Sequence, residues 1–369
     1  MSDTGRPTLF DPIKLGAIDA PNRILMAPLT RGRATRAHVP TDIMATYYAQ
    51  RASAGLIITE ATGISQEGLG WPFAPGIWSD EQVEAWKPVV EAVHEAGGRI
   101  AVQLWHMGRV VHPSFLGGDK PVSASATKAP GQAHTYDGKQ DYAEARALGT
   151  DEIPRLLDDY GRAVRNAKAA GFDGVQLHAA NGYLIDSFIR DGVNHRDDAY
   201  GGSLDNRLRL LDEVTRRLID EWSAERVGVR LSPVGEIQGV DDSDPQTTFV
   251  AAAKLLDRFG IAYLEMREPG PHGSFGRTGV PPVSPAIREA ISIPLVLNSD
   301  HDRASGAALL AAGRCDAIAF GRTFLANPDL VERFKAKADL NRDDMATWYS
   351  QGPEGYTDYP TLAEAKEAA

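Results

Sequence analysis

The run Gly174-Val175-Gln176-Leu177-His178, followed at once by Ala179-Ala180-Asn181-Gly182-Tyr183, decides the fold. Its first half is short and almost continuously apolar, which suits a strand of a parallel sheet covered on both faces. Its second half puts His178, Asn181 and Tyr183 at or just past the strand end. Residues 151–170, before it, carry the longer amphipathic pattern of a helix. The same alternation recurs on either side of this unit. Toward the N-terminus, strands are expected at 24–28, 56–62 and 99–106, with helices at 41–53 and 80–96. Thr41 and Asp42 are candidate caps of the first helix, and Gly97-Gly98 ends the second. Toward the C-terminus, strands at 227–232, 262–267, 295–298 and 316–320 alternate with helices at 204–222, 245–259, 284–290, 303–313 and 327–338. Eight strands, each followed by a helix, are the count that closes a (β/α)8 TIM barrel, an α/β fold.

Other segments stand outside the rhythm. Residues 9–22 are expected to form a small N-terminal hairpin under the barrel. Residues 107–150 are rich in Gly, Pro, Ser and Ala, and Tyr136-Asp137-Gly138-Lys139 is a hairpin turn signal. A stretch this long and irregular is a capping or lid excursion after the third strand. Long loops are expected at 179–202 and at 269–282, and the last thirty or so residues wrap back over the barrel. No linker divides the chain, so residues 1–369 read as one domain.

Composition removes several classes of function. The chain carries 39 basic against 50 acidic residues, a net charge of −11. A nucleic-acid partner would call for clustered Lys and Arg, so this charge reads as solubility. The single cysteine, Cys315, rules out an internal disulfide, a Cys-ligated zinc site and an iron–sulfur cluster. The nine histidines are scattered, with no His-x-His or His-Glu-x-x-His pair, and no metal is expected. Residues 1–12 show no secretory signal, and no apolar run approaches the ~18 residues of a membrane span. The cytoplasm is the default location. No decisive apolar patch separates a monomer from a homo-oligomer.

Barrel enzymes place their chemistry at the C-terminal ends of the strands. The first strand ends Ala27-Pro28-Leu29-Thr30 and the second Thr59-Glu60-Ala61-Thr62; each is weak alone. The third ends Gln103-Leu104-Trp105-His106, where alternation points Gln103 and Trp105 to one side. A buried Gln must pair its amide, and a planar heterocycle with donors and acceptors would do that. The fourth end is the strongest. His178 and Asn181 can both donate to one oxygen, and the Tyr183 phenol stays protonated at neutral pH. Taken alone, His178 is better explained as a satisfied core residue, with Asn181 as a helix cap; together with Tyr183 they make a convergent site. In the fifth strand, Arg230 interrupts an apolar run and needs a negative partner, either a structural carboxylate or an anionic ligand. The seventh strand ends Asn298-Ser299-Asp300 and the eighth Phe320-Gly321-Arg322. Gly321 lets a phosphate approach the backbone, and Arg322 adds a charge-assisted contact.

These stretches form an ordered series. It runs Pro21-Asn22-Arg23, Ala27-Pro28-Leu29-Thr30-Arg31, Tyr48-Ala49-Gln50-Arg51-Ala52, Glu60-Ala61-Thr62, Gln103-Leu104-Trp105-His106 and Ala170-Gly171-Phe172-Asp173-Gly174-Val175. It continues through His178-Ala179-Ala180-Asn181-Gly182-Tyr183-Leu184, Tyr200-Gly201-Gly202-Ser203, Asn206-Arg207, Phe320-Gly321-Arg322 and Gly355-Tyr356-Thr357-Asp358-Tyr359-Pro360. In this order the chain resembles the old yellow enzyme family over residues 9–362. It is most similar there to bacterial nicotinamide-dependent 2-cyclohexen-1-one reductases, which share Leu69-Gly70-Trp71-Pro72 and Leu297-Asn298-Ser299-Asp300. Many relatives have a Gly-rich segment at 298–300, so the phosphate contact rests more on Gly321 and Arg322. A related branch has Cys where this chain has Thr30, and another carries a Cys cluster; this chain has neither.

The resemblance implies a non-covalently bound FMN that takes a hydride from NADPH or NADH and passes it to a small activated alkene. His178 and Asn181 would hold the activating carbonyl or nitro oxygen, and Tyr183 would protonate the α-carbon. Gln103 would pair the pyrimidine edge of the flavin, helped by backbone near Pro28, Leu29 and Ala61. Thr30 would meet the carbonyl near N5, His178 and Arg230 would face the ring, and Asn298, Ser299, Gly321 and Arg322 would lie toward the phosphate. Trp71, Trp105 and Tyr356 would line the substrate pocket. Two other readings stand beside this one. A phosphate-binding aldolase or isomerase would need a Lys or a carboxylate base at a strand end; no Lys is there, and Glu60, Glu265 and Glu268 are the carboxylates. A flavin-binding barrel without turnover would not bleach with NADPH.

Overall fold

A computed structural model describes residues 5–367, apart from 236, 271, 272, 274, 275 and 277. Eight parallel strands close a barrel in chain order: β1 (Ile24–Met26), β2 (Ile57–Gly63), β3 (Ile100–Trp105), β4 (Gly174–His178), β5 (Val227–Leu231), β6 (Tyr263–Arg267), β7 (Leu295–Asn298) and β8 (Ala317–Phe320), which pairs back to β1. The helices are α1 (Asp42–Ala49), α2 (Asp80–Glu95), α3 (Ile153–Ala170), α4 (Leu184–Ile189), α5 (Leu204–Glu221), α6 (Pro245–Phe259), α7 (Ser284–Ala290), α8 (Arg303–Ala311), α9 (Arg322–Ala326), α10 (Leu330–Ala336) and α11 (Leu362–Glu367). Local chemistry fixes their ends. Ser79 and Gln82 form a reciprocal capping box at the start of α2, and Asp244 accepts from the Thr247 N–H to start α6.

Inward-facing residues change character along the barrel axis. At the N-terminal end, Leu25, Ile58, Ala101, Tyr263, Val296 and Ala317 form one apolar cluster with Leu15, Ile18 and Ala20. The latter three belong to the antiparallel hairpin Ile13–Leu15 with Ile18–Ala20, which closes the floor of the barrel. Its turn needs Gly16: φ is 59°, and a Cβ would fall 2.3 Å from the Glu225 carbonyl oxygen. Tyr263 fits inside because its neighbour is Gly228, where a Cβ would meet the phenol ring at 2.4 Å. Toward the C-terminal end the register brings polar neighbours side by side: Gln103 with Gln176, His178 with Arg230, Arg230 with Glu265, and Arg267 with Asn298.

Several local expectations change. Helix α1 stops at Ala49, and the Thr41 hydroxyl donates to the Arg33 carbonyl at 2.6 Å instead of capping it. The loop after β4 contains α4, whose six residues are all buried. The helix expected at 327–338 is the shorter α10, and a separate short helix, α9, precedes it; the break between them falls where Pro328 offers no N–H and Asn327 turns its amide to the Thr323 and Asn341 carbonyls. Strand β2 bulges between Ile58 and Ala61, the stretch that contains Glu60. The segment between β3 and α3 holds the hairpin Gln132–Thr135 with Gly138–Asp141, at the turn marked in the sequence. The loop at 269–282 lies partly outside the described residues. The C-terminal segment does return over the barrel mouth: Arg31 and Arg33 donate to the carbonyls of Trp348, Gly355, Thr347 and Glu354.

Candidate active site

The strand ends build the site from three kinds of group. The first is aromatic. Trp105 stacks toward His178 with ring centroids 6.3 Å apart and meets Tyr183 edge-on at 5.0 Å. His178 and Tyr183 are themselves edge-to-face at 4.8 Å. Trp71 joins this apolar cluster and packs against His134 of the 132–141 hairpin at 4.6 Å and Tyr349 of the C-terminal segment at 5.1 Å. Tyr356 lies elsewhere. It is fully buried, stacks on Tyr47 at 4.0 Å, and sits under the guanidinium groups of Arg31 and Arg33.

The second kind is the donors around the mouth. The Asn181 backbone is left-handed, at φ 60°, and its N–H donates to the Ser232 hydroxyl at 2.7 Å. Arg267 donates to Asn181 Oδ1 at 3.5 Å, which leaves the Asn181 NH2 group to face elsewhere. Burial, then Arg230 and Arg267, hold the His178 imidazole well below its ordinary value, so it is neutral. Burial pushes the Tyr183 phenol up, and it stays protonated.

The third kind is a set of buried amides and charges. Arg230 has a carboxylate partner, Glu265, with Nε to Oε1 at 3.5 Å. Arg230 also donates to Asn298 Oδ1 at 2.7 Å, and Asn298 Nδ2 donates to the Ala319 carbonyl at 2.7 Å. Both ends of the Asn298 side chain are therefore engaged inside the barrel. Beyond it, Ser299 and Asp300 have φ of 137° and 40°, a conformation that favours glycine. Gly321 and Arg322 follow β8; Arg322 pairs with Asp343 at 3.5 Å. Leu29, after β1, packs within 3.5 Å of where a Gly321 Cβ would sit, so the ends of β1 and β8 touch. Pro28 and Ala61 are buried beside them, and Thr30 is half-buried at the mouth.

The other carboxylates hold loops. Glu60 accepts the N–H groups of Arg31 and Gly32, each at 3.0 Å, and Glu268 accepts those of Val283 and Ser284. Neither is free to act as a base, which disfavours the aldolase or isomerase reading. Among the described residues no group of three or more His, Cys, Asp or Glu forms a metal-holding cluster.

Residues 8–341 match the model of the NADH:flavin oxidoreductase / NADH oxidase family. The chain belongs to that family. Its solved relatives are old yellow enzyme homologues. One, from Zymomonas mobilis, is 63% identical with a TM-score of 0.95, over 96% of this chain and 100% of the relative. Morphinone reductase is 44% identical with a TM-score of 0.93, over 99% of each chain. Among curated proteins, 12-oxophytodienoate reductase 1 of Oryza sativa subsp. japonica is 42% identical over 97% of this chain and 94% of the relative. This old yellow enzyme homologue is an NAD(P)H-dependent flavin oxidoreductase with non-covalent FMN.

Its residues fit that cofactor. His178 Nδ1 and Trp105 Nε1 are buried polar atoms with no hydrogen-bond partner, both at one end of the barrel. A flat heterocycle rich in donors and acceptors answers such a set. Sequence reasoning passed over Arg267, Tyr349 and the pairing role of Glu265. Alternation along 263, 265 and 267 would have marked Glu265 and Arg267 as inward; nothing local marks Tyr349.

Proposed function

We propose that this enzyme reduces activated alkenes, with His178 and Asn181 holding the activating oxygen and Tyr183 delivering the proton. The observation that carries the reading is the packed trio Trp105, His178 and Tyr183, in which a neutral imidazole with an unpartnered nitrogen meets a phenol that burial keeps protonated. FMN, when bound, would supply the hydride chemistry between NADPH or NADH and the β-carbon. The chain does the rest. His178 and Asn181 donate to a carbonyl or nitro oxygen, and those bonds strengthen as negative charge develops there. Tyr183 gives its proton to the α-carbon, a role open to a phenol that rests protonated at working pH, and regains one from solvent before the next turnover. Trp71 and Trp105 supply flat walls for an enone. Gln103, Arg230 and Thr30 face the flavin, with backbone at Pro28, Leu29 and Ala61 beside it. Ser299, Gly321 and Arg322 lie toward its phosphate, Asn298 serving Arg230. The capping segment, residues 107–150, takes part in choosing between NADPH and NADH. Relatives named for reducing morphinone and 12-oxophytodienoate support a conjugated carbonyl as the substrate class.

Anaerobic stopped-flow spectroscopy tests the assignment. NADPH should bleach the flavin band in wild type and in Tyr183→Phe alike. 2-Cyclohexenone should then restore the band in wild type, and at least about 100-fold more slowly in Tyr183→Phe, the scale of one general acid. Equal recovery in both proteins would remove Tyr183 from proton delivery.

A further inference from the structure

A chain of buried side chains crosses the barrel below its mouth, and its hydrogen bonds have a direction. Gln103 Nε2 donates to Gln176 Oε1 at 2.7 Å. Gln176 Nε2 donates to Glu265 Oε2 at 2.7 Å and to the Tyr263 hydroxyl at 3.3 Å. Glu265 Oε1 then lies 3.5 Å from Arg230 Nε. Gln103, Gln176, Glu265 and Arg230 are all buried. The two ends of a glutamine amide have nearly the same shape, so a buried partner, not packing, decides which way it faces. A carboxylate can only accept. Glu265 therefore takes the NH2 end of Gln176, which turns Gln176 Oε1 to Gln103 and draws in the NH2 group of Gln103. What Gln103 keeps for the barrel mouth is its Oε1 acceptor and one remaining N–H.

We propose that Glu265 is a positioning residue for the cofactor: acting through Gln176, it sets the polarity of the Gln103 amide so that an acceptor and a donor face the pyrimidine edge of FMN, and it offsets the charge that Arg230 brings to the ring. The proposal rests on the reading above that Gln103 and Arg230 face the flavin. The pyrimidine edge offers an N–H flanked by carbonyls, and its complement is an acceptor beside a donor. Gln103 turned the other way would show only N–H groups, leaving that N–H without a partner.

The same logic foretells what Glu265→Gln does. Arg230 only donates, so the new amide gives it oxygen and turns its NH2 group to Gln176. Gln176 then reverses, with its oxygen free to accept from Tyr263, and donates to Gln103. Gln103 in turn loses its acceptor at the mouth.

The experiment titrates apoprotein with FMN and with N3-methyl FMN, following flavin fluorescence, and measures the flavin midpoint potential. Wild type should prefer FMN by about tenfold, the scale of one hydrogen bond. In Glu265→Gln the preference should collapse toward one and the potential should rise, because Arg230 has lost its counter-charge. Gln176→Lys can only donate, so it should turn the Gln103 amide over and collapse the preference with Glu265 still beside Arg230. Retention of the tenfold preference in either variant overturns the role of Glu265 and leaves the flavin contacts of Gln103 standing. Equal binding of both flavins by wild type would instead remove the Gln103 contact itself, and the proposal with it. If Glu265→Gln does not fold, Gln176→Lys decides alone: loss of preference supports the relay and retention overturns it.

Discussion

His178 shows how burial can remove a histidine from the range in which it usually switches. Its imidazole is held well below the ordinary value by burial and by Arg230 and Arg267, so its charge is constant through neutral pH. Flavin reoxidation by an enone should accordingly show no inflection near the ordinary histidine value of about 6.5. A pH–rate profile of that half-reaction checks this; an inflection that disappears in His178→Asn would mean the ring titrates after all. Much at this scale was legible. His178, Asn181 and Tyr183 stood out because polar groups crowd one strand end, and Arg230 because a charge interrupts an apolar run. Arg230 proved to have the structural carboxylate that its position demanded, in Glu265. Tyr349 was not legible, since it reaches Trp71 only when the C-terminal segment folds back across the mouth. Tyr356 looked like a pocket residue from its motif, yet it stacks on Tyr47 beneath two arginines.

Elements are held to one another at this end by a charge cluster. Glu67, in the loop after β2, pairs with Arg155 of α3 at 2.7 Å and with Arg146 at 3.5 Å, and lies 4.0 Å from His106. His106 and Arg155 hold the Glu67 carboxyl down to about 2. A lowered carboxyl binds fewer protons folded than unfolded. Its stabilisation is therefore complete above the ordinary carboxylate value and fades as pH falls toward 2. Denaturant unfolding between pH 6 and about 3 should show wild type losing stability more steeply than Glu67→Gln; parallel curves would assign the acid sensitivity to other groups. Strand placement was read well because short apolar runs flanked by helices are unambiguous once they repeat. Helix ends were read less well. The break between α9 and α10 turns on one proline and one asparagine amide, and α4 is too short for periodicity to reveal.

The molecule as a whole is a barrel with one finished end. The order of strands followed from the sequence alone, since eight alternations leave a closed parallel sheet as the simplest way to bury every strand. The hairpin that seals the floor was expected in place, but its use of Gly16 against the Glu225 carbonyl depends on a contact across the chain. Leu15 is fully buried between hairpin and barrel. Leu15→Ala should cost about 3 kcal/mol of unfolding free energy, with alkene turnover at low temperature near wild type, since the cavity opens far from the mouth. A variant that loses flavin without losing stability would contradict this division. The sealed floor also governs traffic. With the floor closed by the hairpin, the nicotinamide and the alkene both reach the strand-end site from the mouth and queue for it, each leaving before the other enters. Crowding by either reactant then delays its counterpart, and turnover at fixed NADPH should pass through a maximum and decline as alkene is raised.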